Sequence, residues 1–321
     1  MQLVVGPPGS GKSTYCHGMQ QFLTSLGRYA DTTGHTLTRS RRRPILVNLD
    51  PANENIPYDC DVNIAELVTV EQVMAEHGLG PNGALLYCME ELERSVEWLL
   101  TRLEAAQEEL AGDGETTGYF IFDLPGQVEL STCHEALVNT IRVLNRRNFR
   151  LAVVSLSDAA YCIDPMKFIS LLTITLLSMM RLECPQVNVL SKIDLVGSYG
   201  RLPLRLEYYT EVQDLRHLLV GLDSDRIGRN YHRLNEALCE LVEEASLVSF
   251  VPLAVEDKDC MAFLLGEIDK ANGYVFGGLT PGNESIMEVA VRQAHRENLI
   301  ELVKERYTAS GPDDDSRDTD N

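Results

Sequence analysis

Short apolar runs recur along the chain, at residues 1–5, 45–48, 119–122, 151–155, 187–190 and 247–251. Runs of this length predict buried strands of a parallel sheet, because helices cover both faces of such a sheet. Longer stretches that suit helices separate them. We therefore predict an α/β fold with a mostly parallel, doubly wound sheet flanked by helices. Ligands of such sheets bind at the carboxyl ends of the strands, so the residues after each run are candidates for chemistry.

Three helices follow from the same pattern. The first is predicted from about Ser13 to Leu26 with its end at Gly27, since glycine suits the left-handed conformation of a helix C-terminus. Apolar residues at intervals of three and four predict an amphipathic helix over 90–110. The stretch Phe168–Met180 is too short to span a bilayer and contains four serines and threonines, so we predict a buried helix and no membrane partner.

Polar segments suggest the domain limits. Residues 31–43 are polar with a basic end and are predicted to be a disordered surface insertion; a basic docking or localisation patch is the alternative. We predict one main domain over residues 1–278, a helical extension over 279–308 and a disordered acidic tail over 309–321.

The segment Gly6–Ser13 follows the first apolar run and is glycine-rich, with Lys12 before its final serine. Glycines let such a turn close so that backbone N–H groups point at an anion, and the next helix aims its positive end at the same anion. Lysine in this pattern reaches the β and γ phosphates, and Ser13 ligates Mg²⁺. The loop therefore predicts a bound nucleoside triphosphate and Mg²⁺, with nucleotide contacts from Gly9, Ser10, Gly11, Lys12, Ser13 and Thr14.

Carboxylates follow two of the predicted strands. Asp123 ends the run 119–122, where it can hold Mg²⁺ or orient an attacking water. Gly126 lets its N–H approach the γ phosphate, and Gln127 and Glu129 are placed to position the nucleophilic water. Asp50 follows the run 45–48 and is a second candidate for the metal or the water. The sequence leaves open whether Asp50 or Asp123 acts as the base.

The nucleobase is predicted from Ser191-Lys192-Ile193-Asp194, which follows the run 187–190. A carboxylate at Asp194 accepts hydrogen bonds from N1–H and the 2-amino group of guanine, which adenine does not offer. Lys192 would lay its aliphatic stem over the base. Backbone groups at Pro252 and Leu253 would close the other side of the base. The predicted nucleotide is therefore GTP.

Composition narrows the class of partner. The formal net charge of -20 argues against a nucleic-acid surface, which needs clustered Lys and Arg. The eight cysteines have no C-x-x-C pair, which predicts reduced thiols and a cytoplasmic protein that also passes into the nucleus. We expect no signal peptide, because residues 1–5 already form the first predicted strand.

These motifs together with Gly80-Pro81-Asn82 resemble the GPN-loop GTPases, from residue 1 to about 278. The resemblance implies a P-loop NTPase fold with inserted helices that carry the GPN loop, and Mg²⁺-dependent hydrolysis of GTP. It implies a homodimer, or a heterodimer with a paralogous GPN-loop GTPase, in which Asn82 contacts phosphate in its partner's site and stabilises developing charge. It also implies a role in assembling RNA polymerase II and related polymerases, through their subunits or assembly factors, before nuclear import.

Two other functions fit parts of the pattern. A P-loop kinase of a small metabolite or a nucleic-acid end can begin with the same loop, but the guanine-reading motif and the lack of a basic acceptor surface argue against it. A nucleotide-regulated scaffold with little turnover would use the stretch Phe168–Met180 to line a protein-binding groove.

Overall fold

Seven parallel strands form the centre of the computed structural model, which describes residues 1–32, 41–53, 55–111, 116–200, 202–222, 230–273 and 296–308. Their spatial order is β3-β2-β4-β1-β5-β6-β7, and every pairing in the described part of the chain is parallel. The predicted fold class is confirmed. The strands are β1 (Gln2–Val5), β2 (Arg41–Asn48), β3 (Val62–Asn63), β4 (Thr116–Asp123), β5 (Ala152–Asp158), β6 (Gln186–Ser191) and β7 (Phe250–Leu253).

Helices cover both faces of this sheet. Their bounds are α1 (Lys12–Thr32), α2 (Val70–His77), α3 (Pro81–Arg94), α4 (Val96–Ala111), α5 (Val128–Thr132), α6 (Glu135–Arg146), α7 (Pro165–Leu182), α8 (Val196–Tyr199), α9 (Leu206–Glu211), α10 (Arg216–Leu222), α11 (His232–Ala245) and α12 (Lys258–Ala271). Residues 296–303 are helical and continue into a π-helical turn at Lys304–Thr308.

Each face of the sheet has its own apolar core. One core includes Tyr15, Phe168 and Phe250, and the other includes Phe120 and Phe122. The strands that separate these cores are buried on both sides, as β1 and β7 are along their whole length. This explains why their sequences read as continuous apolar runs without alternation.

The six predicted runs each overlap a strand, but two details were wrong. The last run was placed at 247–251, whereas β7 begins at Phe250 and Leu247 is exposed. The two-residue strand β3 was missed, because Val62–Asn63 is too short to give a hydrophobic pattern.

The predicted end of the first helix was also wrong. Helix α1 continues through Gly27 to Thr32, since one glycine in a helix interior costs only about 1 kcal/mol. The amphipathic segment predicted at 90–110 is two helices, with a break at Ser95, where the backbone leaves the helical conformation.

The basic end of the predicted insertion at 31–43 is ordered strand, not surface loop. Residues Arg41–Arg43 pair with Thr116–Gly118 of β4. The Arg42 guanidinium lies 2.8 Å from the Asp269 carboxylate and over the Tyr119 ring, so its charge has a buried partner. Residues 33–40 lie outside the described residues, as do 309–321 and the part of the predicted helical extension from 279 to 295.

Helix α7 is longer than the apolar stretch that predicted it. Among the described residues it is the one helix long and apolar enough to cross a membrane by length and composition. Its buried residues include Phe168, Leu172 and Leu176, which belong to the core, whereas Leu177 and Met180 are exposed. The prediction of a buried helix therefore holds for one face only.

Candidate functional site

The predicted chemical residues meet at the carboxyl edge of the sheet, where the glycine-rich loop joins β1 to α1. Gly9 and Gly11 have φ of +78° and +88°, a region that L side chains rarely adopt. These two residues therefore turn the loop so that α1 begins at Lys12. The N–H groups of the first turn of a helix lack carbonyl partners within the helix and are suited to an anion.

Lys12 is buried beneath this loop. Its Nζ lies 3.1 Å from Gly6 O and 3.3 Å from Pro7 O. Burial lowers the pKa of Lys12, whereas the nearby carboxylates of Asp123 and Asp50 raise it. Both acidic residues predicted from the sequence therefore lie within electrostatic reach of Lys12.

Asp123 ends β4 and is paired in register with Val4 of β1 and Asn48 of β2. The Tyr58 hydroxyl donates a hydrogen bond to its Oδ2 at 2.9 Å. Its Oδ1 is buried and has no donor within hydrogen-bonding distance in the described part of the chain, although the Ser13 side chain lies near enough to lower the pKa of Asp123. Burial raises the pKa of Asp123, against the opposing effects of Ser13, Tyr58 and Lys12.

Asp50 lies just beyond the end of β2. Its Oδ1 accepts a hydrogen bond from Ala52 N at 3.0 Å, and Asn48 Nδ2 donates to its carbonyl oxygen at 3.2 Å. Burial raises the pKa of Asp50, while Ala52 N–H and Lys12 lower it. The raised pKa values of Asp50 and Asp123 have the same cause, so the structure does not separate them as candidates for the base.

The loop after β4 touches the glycine-rich loop. A Cβ placed on Gly126 would lie 2.9 Å from Lys12 Nζ and 3.1 Å from Pro8 Cα, so a side chain there would displace the Lys12 ammonium and press on the backbone of the phosphate loop. Gly126 therefore brings the backbone after Asp123 into contact with the phosphate loop. Gln127 is the residue that precedes α5, and Glu129 lies exposed in the first turn of that helix.

Gly80, Pro81 and Asn82 begin α3. Gly80 is the N-cap, Pro81 is the first helical residue and fixes φ there, and Asn82 follows in the first turn. Asn82 Oδ1 accepts a hydrogen bond from Gln127 Nε2 at 3.0 Å. The structure thus brings the Gly-Pro-Asn motif to the loop that carries the residues predicted to position water.

The predicted base-reading residues lie beside the same loop. Ser191 Oγ is buried, 2.7 Å from Ser10 O and 3.0 Å from Ser157 O, so it braces the phosphate loop from the side. Lys192 Cε would lie 3.9 Å from a Cβ on Gly11. Asp194 is exposed on the turn Ile193–Leu195.

The remaining predicted nucleotide contacts, at Pro252, Leu253 and Thr14, differ in how far their side chains are exposed to solvent. Pro252 and Leu253 pair in register with Leu190 and Ser191, which brings the end of β7 beside the base-reading turn. The side chain of Leu253 is fully buried, so only its backbone can face a base. Thr14 is exposed on α1.

Two residues at this edge were not foreseen from the sequence. Asp158 ends β5 and accepts a hydrogen bond from Lys192 Nζ at 2.8 Å, and its position after a buried strand was a usable signal. Tyr58 comes from the loop before β3, and nothing in its sequence context points to Asp123.

The oxygen atoms at this edge suit one hard cation together with phosphate. Among the described residues no cluster of three or more His, Cys, Asp or Glu could hold a metal. Mg²⁺ is usually held by one or two protein oxygens plus substrate phosphates and water. The unpaired buried Oδ1 of Asp123, beside Ser13, fits that requirement.

Comparison with known proteins agrees with this geometry. A family model described as "Conserved hypothetical ATP binding protein" matches residues 4–274. GPN-loop GTPase 2 of Danio rerio is 47% identical over 95% of this chain and 91% of its own length. GPN-loop GTPase 2 of Saccharomyces cerevisiae is 42% identical over 91% of this chain and 80% of its own length. The chain belongs to the GPN-loop GTPase family.

A further relative supports the same assignment, and a solved structure shows the same fold. GPN-loop GTPase QQT1 of Arabidopsis thaliana is 42% identical over 95% of this chain and 96% of its own length. A crystal structure of a GTPase from Pyrococcus abyssi in its apo form shares the fold, with a TM-score of 0.55 and 22% identity over 84% of this chain and 96% of that one. The predicted family and the enzyme class are confirmed, and the chain is similar to the relatives named GPN-loop GTPase 2. The roles of the individual site residues stay predictions.

Proposed function

We propose that this chain binds GTP at the carboxyl edge of its sheet and hydrolyses it to GDP and phosphate. The observation that carries the proposal is the approach of Gly126 to Lys12, where a single added carbon would lie 2.9 Å from Nζ. This contact supports an arrangement in which the loop after Asp123 and the phosphate loop act on the same phosphate group.

Lys12 and the N–H groups at the start of α1 would bind the phosphates. Lys12 is 8% exposed, so its charge acts with little screening by water. Catalysis of phosphoryl transfer consists largely of positioning and of stabilising charge, and such buried donors can supply both.

Gln127 would orient the attacking water. Its Nε2 is already engaged by Asn82, so its Oε1 is the atom left to accept a hydrogen bond from water. Asp50, Asp123 and Glu129 are the carboxylates available to take up the proton.

Ser13 and Asp123 would hold Mg²⁺, with Asp50 near it. The ion would supply neutralisation of charge on the β and γ phosphates. The buried and unpaired Oδ1 of Asp123 supports this assignment.

Guanine would be read by Asp194, with the stem of Lys192 along the base. The hydrogen bond from Lys192 Nζ to Asp158 Oδ2 fixes the direction of that stem. A site built for hydrogen bonds from guanine leaves its carboxylate unpaired with adenine, a penalty that can reach about 10⁴-fold.

At the cellular level we propose a dimeric switch or assembly factor for RNA polymerase II and related polymerases, acting before nuclear import. The partners would be a second copy or a paralogous GPN-loop GTPase, and polymerase subunits or assembly factors. The protein would reside in the cytoplasm and pass into the nucleus. Membership in the GPN-loop GTPase family and similarity to the relatives named GPN-loop GTPase 2 support this proposal.

A scaffold role is the second candidate, and one cavity favours it. This cavity of about 280 Å³ lies between the phosphate loop, β5, α5 and α7. It is lined by Val128 of α5 and by Leu171, Ile174 and Ser178 of α7, so the segment after Gln127 forms part of its wall. A partner bound there would sense the nucleotide through α5.

The direct experiment measures phosphate release from GTP and from ATP by the parent chain and by Lys12→Ala. We expect turnover of GTP alone, lost in Lys12→Ala. Equal use of ATP would overturn the assignment of substrate. Transfer of the phosphate to an acceptor other than water would favour a P-loop kinase. An affinity for a protein partner that is the same with and without bound nucleotide would favour the scaffold.

A further inference from the structure

The C-terminal segment, residues 296–308, packs beside the predicted base site. Leu299, Ile300 and Val303 are buried in the core. Beyond them the π-helical turn Lys304–Thr308 contacts both the turn Ile193–Leu195 and helix α8. The end of the chain that the structure describes therefore lies against the residues that follow Lys192.

On the other side, the same turn holds the loop after β7, residues 254–257, which we call the closing loop. Arg306 Nη1 lies 2.5 Å from Asp257 Oδ2, and the Tyr307 hydroxyl lies 3.3 Å from the same oxygen. Asp257 N donates to Ala254 O at 3.1 Å, so the carboxylate belongs to the closing loop itself. This loop continues directly from Pro252 and Leu253.

Asp257 is fixed by several contacts. Its side chain is 7% exposed, and its Oδ1 caps α12 by accepting from Asp259 N at 2.9 Å. Burial alone would raise the pKa of Asp257, but hydrogen bonds from Arg306 and from Asp259 N–H outweigh it and the pKa is lowered. A charge-assisted contact of this kind is stronger than a neutral one.

Tyr307 also connects to the base-reading side. Its carbonyl oxygen lies 3.6 Å from where a Cβ on Gly197 would sit, in helix α8, three residues after Asp194. One residue thus touches the closing loop with its hydroxyl and the base-reading side with its backbone.

We propose that Arg306 and Tyr307 are positioning residues for guanine recognition, which hold the closing loop and the turn Ile193–Leu195 at a fixed separation. The proposal rests on the proposed GTP site. If the closing loop and the turn Ile193–Leu195 move apart, only a fraction of the molecules can bind guanine. The apparent affinity for the nucleotide then falls in proportion to that fraction. The effect should be specific to the base, because neither residue is among those assigned to the phosphates.

The test uses Arg306→Gln and Tyr307→Phe in the full chain, with Glu305→Gln as the matched control. Glu305 is exposed on the same turn, and its replacement also removes one charge. The probes are a fluorescent GDP for the dissociation rate, IDP, which lacks the 2-amino group, and inorganic pyrophosphate. Thermal unfolding of each variant checks the fold, and Tyr307→Phe carries the test if Arg306→Gln does not fold.

We expect Arg306→Gln to release GDP about three- to tenfold faster and to lose part of the preference for GDP over IDP. Affinity for pyrophosphate and all values for Glu305→Gln should stay at those of the parent. An unchanged preference for GDP over IDP, or an equal loss for GDP and pyrophosphate, overturns the inference while the GTP site stands. A parent chain that does not bind GDP overturns the proposed function and this inference with it.

Discussion

Asn82 Oδ1 accepts a hydrogen bond from Gln127 Nε2 at 3.0 Å, which joins the first turn of α3 to the loop after β4. The contact involves two residues 45 positions apart and lies at the surface of the chain. It leaves Asn82 Nδ2 and Gln127 Oε1 as a donor and an acceptor at the same place on the surface.

Loss of Asn82 should therefore reduce turnover rather than binding. We expect Asn82→Ala to lower kcat for GTP by about ten- to a hundredfold, with the Kd for GDP unchanged, because the donor is needed when charge develops. Steady-state kinetics and fluorescent GDP binding on the same preparation measure both quantities.

Mixing Lys12→Ala with Asn82→Ala tests whether Asn82 acts on the site of a partner subunit. In a mixed dimer of Lys12→Ala and Asn82→Ala, one site has Lys12 and receives Asn82 only from the other subunit. We expect the mixture to recover turnover. No recovery, in a mixture shown to form dimers, would mean that Asn82 acts within its own chain through Gln127.

A side chain at Gly126 would displace the Lys12 ammonium, and adding one carbon tests the consequence. We expect Gly126→Ala to abolish most GTP turnover, because the added Cβ would meet Lys12 Nζ at 2.9 Å and the backbone of Pro8 at 3.1 Å. Gly266→Ala in α12 is the matched control, since a Cβ there meets no atom within 4 Å, and it should leave activity unchanged and stability equal or slightly higher. Equal activity of the two variants would contradict the assigned role of Gly126.

The hydrogen bond from Tyr58 predicts a pH dependence. Burial raises the pKa of Asp123, and the Tyr58 hydroxyl opposes that shift by donating to the ionised carboxylate. Tyr58→Phe removes the opposing contact, so the pKa of Asp123 should rise further. If Asp123 must be ionised, the acid limb of the kcat profile moves to higher pH, with a loss of about three- to tenfold near pH 6 and a smaller loss near pH 8.

Tyr58→Phe should also lower the stability of the fold, by an amount that depends on pH. The pKa of Asp123 is higher in the folded state than in the unfolded state. Ionisation of Asp123 therefore lowers the free energy of unfolding as the pH rises from the unfolded-state pKa through the folded-state pKa. Tyr58→Phe should lose more stability at neutral pH than at acid pH, measured by urea unfolding. An equal loss of stability at neutral and at acid pH would show that Tyr58 acts by packing alone.

Residues 41–43 form the start of β2 where the sequence predicted a surface insertion. Breaking the buried ion pair of Arg42 and Asp269 tests whether these residues hold the strand in place. Their side chains are 14% and 5% exposed. Arg42→Ala removes the guanidinium that pairs with the buried Asp269 carboxylate and packs over the Tyr119 ring, so it should lower the free energy of unfolding by about 3 kcal/mol. Arg94→Ala, at an exposed pair on α3, should have little effect. Equal small losses would indicate that residues 41–43 do not hold β2 in place.

Much of this arrangement was predictable, for a physical reason. Parallel strands are buried on both faces, so their sequences are apolar runs, and the chemical residues follow directly at the strand ends, as Asp123 and Ser191 do. The contact between Asn82 and Gln127 was not predictable, because it depends on how α3 packs, and no periodicity in the sequence encodes that. The predicted end of α1 was wrong because Gly27 was taken as the end of the helix, whereas α1 continues through it to Thr32.

The central claim is that this site hydrolyses GTP because Asp194 reads guanine, and one substitution tests it most directly. Asp194→Asn replaces an acceptor with a donor at that position, which suits xanthine, whose 2-position carries an oxygen in place of the amino group. We expect phosphate release from GTP to fall sharply and release from XTP to rise, with kcat at saturating XTP near that of the parent with GTP. An unchanged preference for GTP in Asp194→Asn would contradict the account.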